Sequence, residues 1–332
     1  MAIVTNTVTR YDAYRSIRED LADIIYNISP VDVPFMSNIG RDKAKSTFTE
    51  WQTDSLAAAT TANAQLEGDD VVSTSGAQTM TNRVGNYTQI SRKLIEVSGT
   101  VEATDKAGMR SALAYFQAKA AAELKRDMES TLTGGQIAVI GNTTVARQTA
   151  GLGAWIITNY TPGTGTVGAA PAMSSGSDGY PATAAVAGTT QTFTETLLKA
   201  SIQKVWTQGG SISDCFLMVG PANKQFVSTF TGIATRYRDV APGKQASIVG
   251  AADIYVSDFG TINVVPNRFQ PEKFGYIVNP EYASVAYLRP FQTINLAQTG
   301  DAQKRMILVE YALKVRAEKS MANTADLKTS YP

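Results

Sequence analysis

Three patterns of hydrophobic and polar positions divide this chain. Tyr14, Ile17, Leu21, Ile24 and Ile25 recur at spacings of three and four, which predicts a short amphipathic helix with Asp12, Glu19, Asp20 and Asp23 on its other faces. Ser29-Pro30 stops it, because a residue before proline avoids the helical region. Val33-Pro34-Phe35-Met36 then reads as an extended apolar tether. The same helical period returns over a longer run, in Met109, Leu113, Phe116, Ala120, Leu124, Met128 and Leu132. Ser98 or Thr100 can cap this run, Glu102 in its first turn suits the helix dipole, and Gly134-Gly135 ends it. The spacing predicts one continuous helix on the order of 50 Å long. Gly108 is its weak point, costing about 1 kcal/mol relative to alanine. Glu102–Lys106 and Lys125–Glu129 are i,i+4 pairs of opposite sign on it. The stripe is too short and irregular for the sustained heptads of a coiled coil.

The second rhythm is alternation. Ser46 to Thr53 reads as a strand, and a second strand-like run extends from Gln78 to Val97 with its heart at Asn86–Ser91. Arg305–Arg316 alternates Val309, Tyr311, Leu313 and Val315 with Glu310, Ala312, Lys314 and Arg316, which predicts a half-exposed antiparallel strand. Shorter strands are expected at 137–140, 155–157, 275–278, 284–288 and 293–296. Ile254–Val256 and Ile262–Val265 flank a hairpin turn at Asp258-Phe259-Gly260. Cys215 to Val219 is a continuous apolar run, expected as a central strand buried on both faces. Pro221 then opens a helix through Phe226, Val227 and Phe230. Thr192-Phe193-Thr194-Glu195 is a capping box for a helix carrying Leu198, Ile202 and Val205, with Gly209-Gly210 behind it.

The third pattern has no rhythm. Between the first two strands, Leu56 to Met80 is Ala, Thr, Asn, Gln and Gly with almost nothing to form a core. From 46 to 80 there are five acids (Glu50, Asp54, Glu67, Asp69, Asp70) and no base. Such a segment is expected to order only against something outside its own subunit, the ordering cost being met by interface burial. Residues 160–190 are similarly rich in Gly, Ala, Thr, Ser and Pro and read as an exposed loop or hairpin.

Composition narrows the chemistry. The 332 residues are 43% hydrophobic and 18% charged with net charge +1, so there is a core to bury and no basic field for nucleic acid. Six bases and six acids cancel within residues 1–45. There is no histidine, which removes Ser-His-Asp and Cys-His devices and the commonest metal ligand. The one cysteine, Cys215, excludes an internal disulfide framework and is expected as a small buried hydrophobe. Glu67, Asp69 and Asp70 cluster, but without the spacing of a calcium loop and with no pocket around them for carboxylate hydrolysis. The glycines at 163, 165 and 168 lack the strand and helix of a dinucleotide loop. No signal-peptide core, propeptide or membrane span is expected. No catalytic residue, cofactor or metal site is assigned.

The order of elements, together with Pro34-Phe35-Met36 to Gly40, Phe48-Thr49-Glu50-Trp51 with Asp54, Leu66-Glu67-Gly68, and Glu123-Leu124-Lys125-Arg126-Asp127 with Glu129, resembles the major capsid proteins of tailed bacteriophages. The resemblance covers nearly the whole chain. It implies an α+β, Hong Kong-97-like fold: an N-terminal arm (1–45), an extended loop (46–97), a peripheral domain with a long spine helix (98–139 and 281–332) and an axial domain (140–280). It implies a subunit of hexamers and pentamers in an icosahedral head around double-stranded DNA. Its partners would be copies of itself, portal, scaffolding and decoration proteins, and weakly and non-specifically the packaged DNA, with no membrane. It would be made in the bacterial cytoplasm and end in the virion. Contacts between subunits are expected at Trp51, Asp54, Glu67, Asp69, Asp70 and Arg83 of the loop. Others are expected at Arg236, Arg238 and Lys244 near the capsomer centre. An encapsulin-like compartment shares the fold and is the alternative; a surface-layer or extracellular structural protein suits the Thr, Ala and Gly content but not the missing signal peptide. Some family members cross-link through a loop lysine. Here no lysine occurs between Lys45 and Lys93, so no such cross-link is expected.

Overall fold

A computed structural model describes residues 32–57, 59, 61, 64, 67–68, 80–106, 108–163, 168–230 and 254–330. The helix expected at 14–25 and the charged loop at 236–244 lie outside them. The described chain enters through α1 (Pro34–Asn38), a helical turn where the sequence suggested an extended tether. The cause is a distant acceptor. Glu129 takes the N–H groups of Phe35 (2.7 Å) and Met36 (3.0 Å), donors that a helix start otherwise leaves unpaired.

Strands β1 (Gly40–Lys43), β2 (Phe48–Thr53), β3 (Asn82–Tyr87) and β4 (Gln89–Ser98) follow. The strand-like run 78–97 is therefore divided at Thr88, where the chain passes from one sheet to another. The expected continuous helix is also divided, into α2 (Gly99–Ala103) and α3 (Ala112–Thr133). Helix α2 ends at Thr104, whose backbone is extended, and Gly108 in the linker that follows has φ +74°, a left-handed conformation. Ser98 caps α2 and Ser111 caps α3. Glu102 bridges them, its Oε2 accepting from the N–H groups of Ala112 (3.1 Å) and Leu113 (3.4 Å). Lys106 donates to the carbonyls of Val101, Glu102 and Thr104. The 22 residues of α3 span about 33 Å. The Lys125–Glu129 pair does not form, because Glu129 is buried with its oxygens already engaged.

Two expected short strands are absent as such. Val139 makes an isolated bridge to Gln148, and Trp155 ends α4 (Leu152–Trp155). Next come β5 (Tyr160–Thr161) and a hairpin of β6 (Ala172–Ser175) and β7 (Asp178–Thr183) in the Gly-, Ala- and Ser-rich stretch. Helix α5 (Glu195–Thr207) is capped by Thr194, two residues later than the capping box placed it. The remaining elements are β8 (Phe216–Val219), α6 (Pro221–Ser228), β9 (Ile254–Ser257), β10 (Gly260–Pro266), β11 (Gly275–Val278), β12 (Ala283–Asn295), β13 (Ala302–Val315) and β14 (Ala322–Thr324). The strands expected at 284–288 and 293–296 are one strand, irregular near Arg289.

Three sheets result, with orders β1-β12-β13-β4, β5-β14-β11-β8-β10-β9 and β2-β3-β7-β6. Leu113, Ala120, Leu124, Met128 and Leu132 of α3 bury against the first sheet, with Val285, Val309, Tyr311 and Leu313. Helices α5 and α6 bury Leu198, Ile202, Val205, Phe226 and Val227 against the six-stranded sheet. Alternate residues of β8 serve both cores: Phe216 and Met218 belong to the first, Leu217 and Val219 to the second. Strand β13 is more buried than alternation suggested, since Glu310 and Ala312 are also covered.

Candidate assembly interface

The extended loop departs from the antiparallel ladder of β2 and β3, which runs from Phe48↔Tyr87 at its root to Thr53↔Asn82 at its far end. The root is clamped to the body by aromatic rings. Phe48 and Tyr87 lie 4.5 Å apart, Tyr180 of β7 meets Tyr87 edge-on at 5.2 Å, and Trp51 packs on Trp155 at 5.3 Å. Asn86, fully buried, adds four hydrogen bonds: it donates to the carbonyls of Ala150 (3.2 Å) and Leu313 (2.7 Å) and accepts from the N–H groups of Ala150 (2.9 Å) and Tyr87 (3.0 Å). Past the far end of the ladder, among the described residues, Leu56 is 99% and Met80 85% exposed.

The residues expected at contacts separate accordingly. Trp51 faces its own subunit, with the Lys314 ammonium 5.9 Å from its ring. Arg83 pairs with Glu50 across the ladder, and its N–H donates to Asp178 (2.7 Å). Asp54 and Glu67 are exposed. Asp69, Asp70, Arg236, Arg238 and Lys244 lie outside the described residues. Among the described residues no group of acids and cysteine is arranged to hold a metal.

Two carboxylates that the sequence placed on exposed helix and strand positions are buried and hold the frame. Glu310 of β13 accepts from Arg147 (2.7 Å), Arg289 (2.7 Å) and the Thr88 hydroxyl (2.8 Å), tying the loop's exit to β12 and to the 140s turn. Glu129 of α3 accepts from Phe35, Met36 and the Asn267 amide (2.8 Å), joining arm, spine and six-stranded sheet. Burial pushes the Glu129 carboxyl above its ordinary range, while these three donors pull it back. Asp42 of β1 is held below its ordinary range, chiefly by a hydrogen bond from Lys314 (2.8 Å). Cys215 is buried and its thiol is pushed up to about 12 by that burial, so it is inert packing.

Exposed apolar side chains gather in other places too. Trp206 of α5 and Phe259 of the β9–β10 turn stack at 5.1 Å on the surface. Ile254 and Val256 face outward from β9, an edge strand of its sheet. Large apolar groups at a surface, next to an unpaired strand edge, are features of contact surfaces. Among the described residues no arrangement of nucleophile, base and acid accompanies them.

A family model described as SU10 major capsid protein matches residues 3–328. The major capsid protein of Escherichia phage Phieco32 is 38% identical over 115 residues, 35% of this chain and 32% of that protein; the chain thus spans about a third of that curated relative's length. The fold is similar to the cyanophage A-1(L) capsid asymmetric unit, at TM-score 0.68 and 14% identity over 97% of this chain and 100% of that one. It is also similar to a structure from Mycobacterium phage Bobi, at TM-score 0.59 and 11% identity over 98% of this chain and 100% of that one.

Proposed function

The chain belongs to the SU10 major capsid protein family, and we propose that its copies form the hexamers and pentamers of an icosahedral head around double-stranded DNA. It is a phage major capsid protein and so a component of the virion. The observation that carries the finer reading is the contrast within the extended loop. Its root is locked by aromatic packing and by Asn86, while Leu56 and Met80 stand in solvent with no partner among the described residues. A rigid stem bearing an unpartnered polar and acidic loop fits a segment laid on a neighbouring subunit. Asp54, Glu67, Asp69 and Asp70 would meet that neighbour, whereas Trp51 and Arg83 would act from within by fixing the stem.

In this reading α3 with the sheet of β1, β12, β13 and β4 is the peripheral domain. The six-stranded sheet with α5 and α6 is the axial domain, and it draws in β14 from the C-terminal stretch. Arg236, Arg238 and Lys244 would lie toward the capsomer centre, and the stacked Trp206–Phe259 pair would face a neighbouring axial domain. Portal, scaffolding and decoration proteins are the further partners, and synthesis takes place in the host cytoplasm. DNA would be held weakly, as a net charge of +1 gives few phosphates to neutralise. The role is structural and requires no catalysis. Electron microscopy of the purified protein tests the proposal: closed shells or capsomers are expected, and a strictly monomeric folded protein at high concentration would refute it.

A further inference from the structure

An open groove of about 590 Å³ runs between α3 and the outer half of β12. Its helix wall carries the small side chains of Ala114, Ala118 and Ala121, its strand wall carries Phe291, and Gln117 of the helix donates to the Thr293 hydroxyl of the strand at 3.3 Å along one side. Ile307 forms part of the lining, and the exposed Lys125 stands at one end. Beyond Tyr287 the outer edge of β12 has no strand partner among the described residues, since β1 pairs only with Ser284–Tyr287. A wall of alanines allows a second helix to approach closely.

The place where the arm meets the body points to the occupant. Positions 114, 118, 121 and 125 form one row on α3, and Glu129 continues that row one turn further on, about 6 Å along the axis from Lys125. Glu129 is the residue that grips Phe35 and Met36, so the chain preceding Pro34 starts from the end of the groove. Upstream lies the amphipathic pattern of Tyr14, Ile17, Leu21, Ile24 and Ile25, an apolar stripe in need of a covering surface. The eight residues 26–33 reach about 26 Å when extended. The far end of the groove, at Ala114, is about 22 Å from Glu129 along the helix.

We infer that the groove between α3 and β12 is the seat of this chain's own arm. The stripe from Tyr14 to Ile25 lies along Ala114, Ala118 and Ala121 and covers Phe291. The contact is made within one chain and does not depend on shell formation, so it stands or falls separately from the capsomer reading.

Paired cysteines test it in the full-length protein, whose native Cys215 is buried. Ile17→Cys, Leu21→Cys and Ile24→Cys are each combined with Ala118→Cys or Ala121→Cys, mildly oxidised, run on a non-reducing gel and mapped by peptide mass. At least one pair should close within the monomer band. A disulfide found only in dimers or larger species would assign the groove to a second copy's arm and overturn the inference, as would the absence of any disulfide. Hydrogen exchange guards against misfolded variants: Leu21→Asp with Ile24→Asp should raise exchange at 114–121 and 289–294 several-fold over the parent. Unchanged exchange there would also overturn it. Microscopy of the same samples reports shell assembly independently.

Discussion

Glu129 accepts the backbone N–H of Phe35 at 2.7 Å, across 94 residues of sequence. Helix α1 is thereby fixed to α3, and the same carboxylate reaches Asn267 behind β10. Removing it strands three buried donors. Glu129→Ala is expected to cost about 3 kcal/mol, since each unsatisfied buried polar group costs about 1–3 kcal/mol. Urea unfolding of the unassembled protein measures this, and Glu129→Gln, which keeps one acceptor oxygen, should lose less.

The same residue should make stability depend on pH. Its carboxyl is raised above 4.5 in the folded state, so the native form binds its proton more tightly than the unfolded chain does. Its contribution is complete below pH 4.5 and declines as pH rises through the folded value. Asp42 has the opposite sign: held below 3.8, it contributes fully above that value and loses its contribution as pH falls through the folded one. Comparing the pH profile of urea midpoints for the parent and Glu129→Gln should show the decline above 4.5 only in the parent.

Glu310 is the other keystone. Glu310→Ala leaves Arg147 and Arg289 without their shared anion and the buried Thr88 hydroxyl without its acceptor; because both arginines still reach solvent, the cost is about 1–3 kcal/mol. Thermal melts should show the loss. Arg289→Ala should cost less than Glu310→Ala, since Arg147 remains to pair the carboxylate.

Gly108 holds the break between α2 and α3 at φ +74°. Gly108→Ala should destabilise by about 1 kcal/mol, the lower end of the cost of a left-handed L-residue. An unchanged or raised melting temperature would mean that the two helices prefer to fuse.

The extended loop offers no lysine from 46 to 92. Intact virions boiled in detergent should therefore run as the monomer. A covalent ladder traced to this loop by peptide mapping would contradict that expectation.

Local patterns carried much of the architecture. The stripe through Leu124, Met128 and Leu132 marked the buried face of α3, and Phe216–Val219 announced a strand covered on both sides. What the sequence hid was decided over distance. Val33 to Met36 read as extended because nothing nearby could satisfy a helical turn there; the acceptor arrives from Glu129. Glu310 sat at an alternating position and read as solvent-facing, yet its arginines come from 163 and 21 residues away. Gly108 was visible as a weak point, but whether a glycine bends or merely weakens a helix depends on what caps the two halves. Here Ser111 and Glu102 supply that cap. Among expected contact residues, Trp51 packs on Trp155, and Arg83 stays exposed while pairing with Glu50 across the ladder.

Strand β8 gives alternate side chains to two cores, and β11 does the same with Tyr276 and Val278 on one side and Ile277 on the other. A hinge needs a seam of weak contact, and the seam between these lobes is instead two shared strands. The six-stranded sheet thus meets the core of α3, β12 and β13 through the buried side chains of Phe216, Met218, Tyr276 and Val278, and the chain also passes directly from β11 to β12. If copies tile a shell as proposed, a lobe contact packed in this way would leave the curvature to the angles at which neighbouring copies meet.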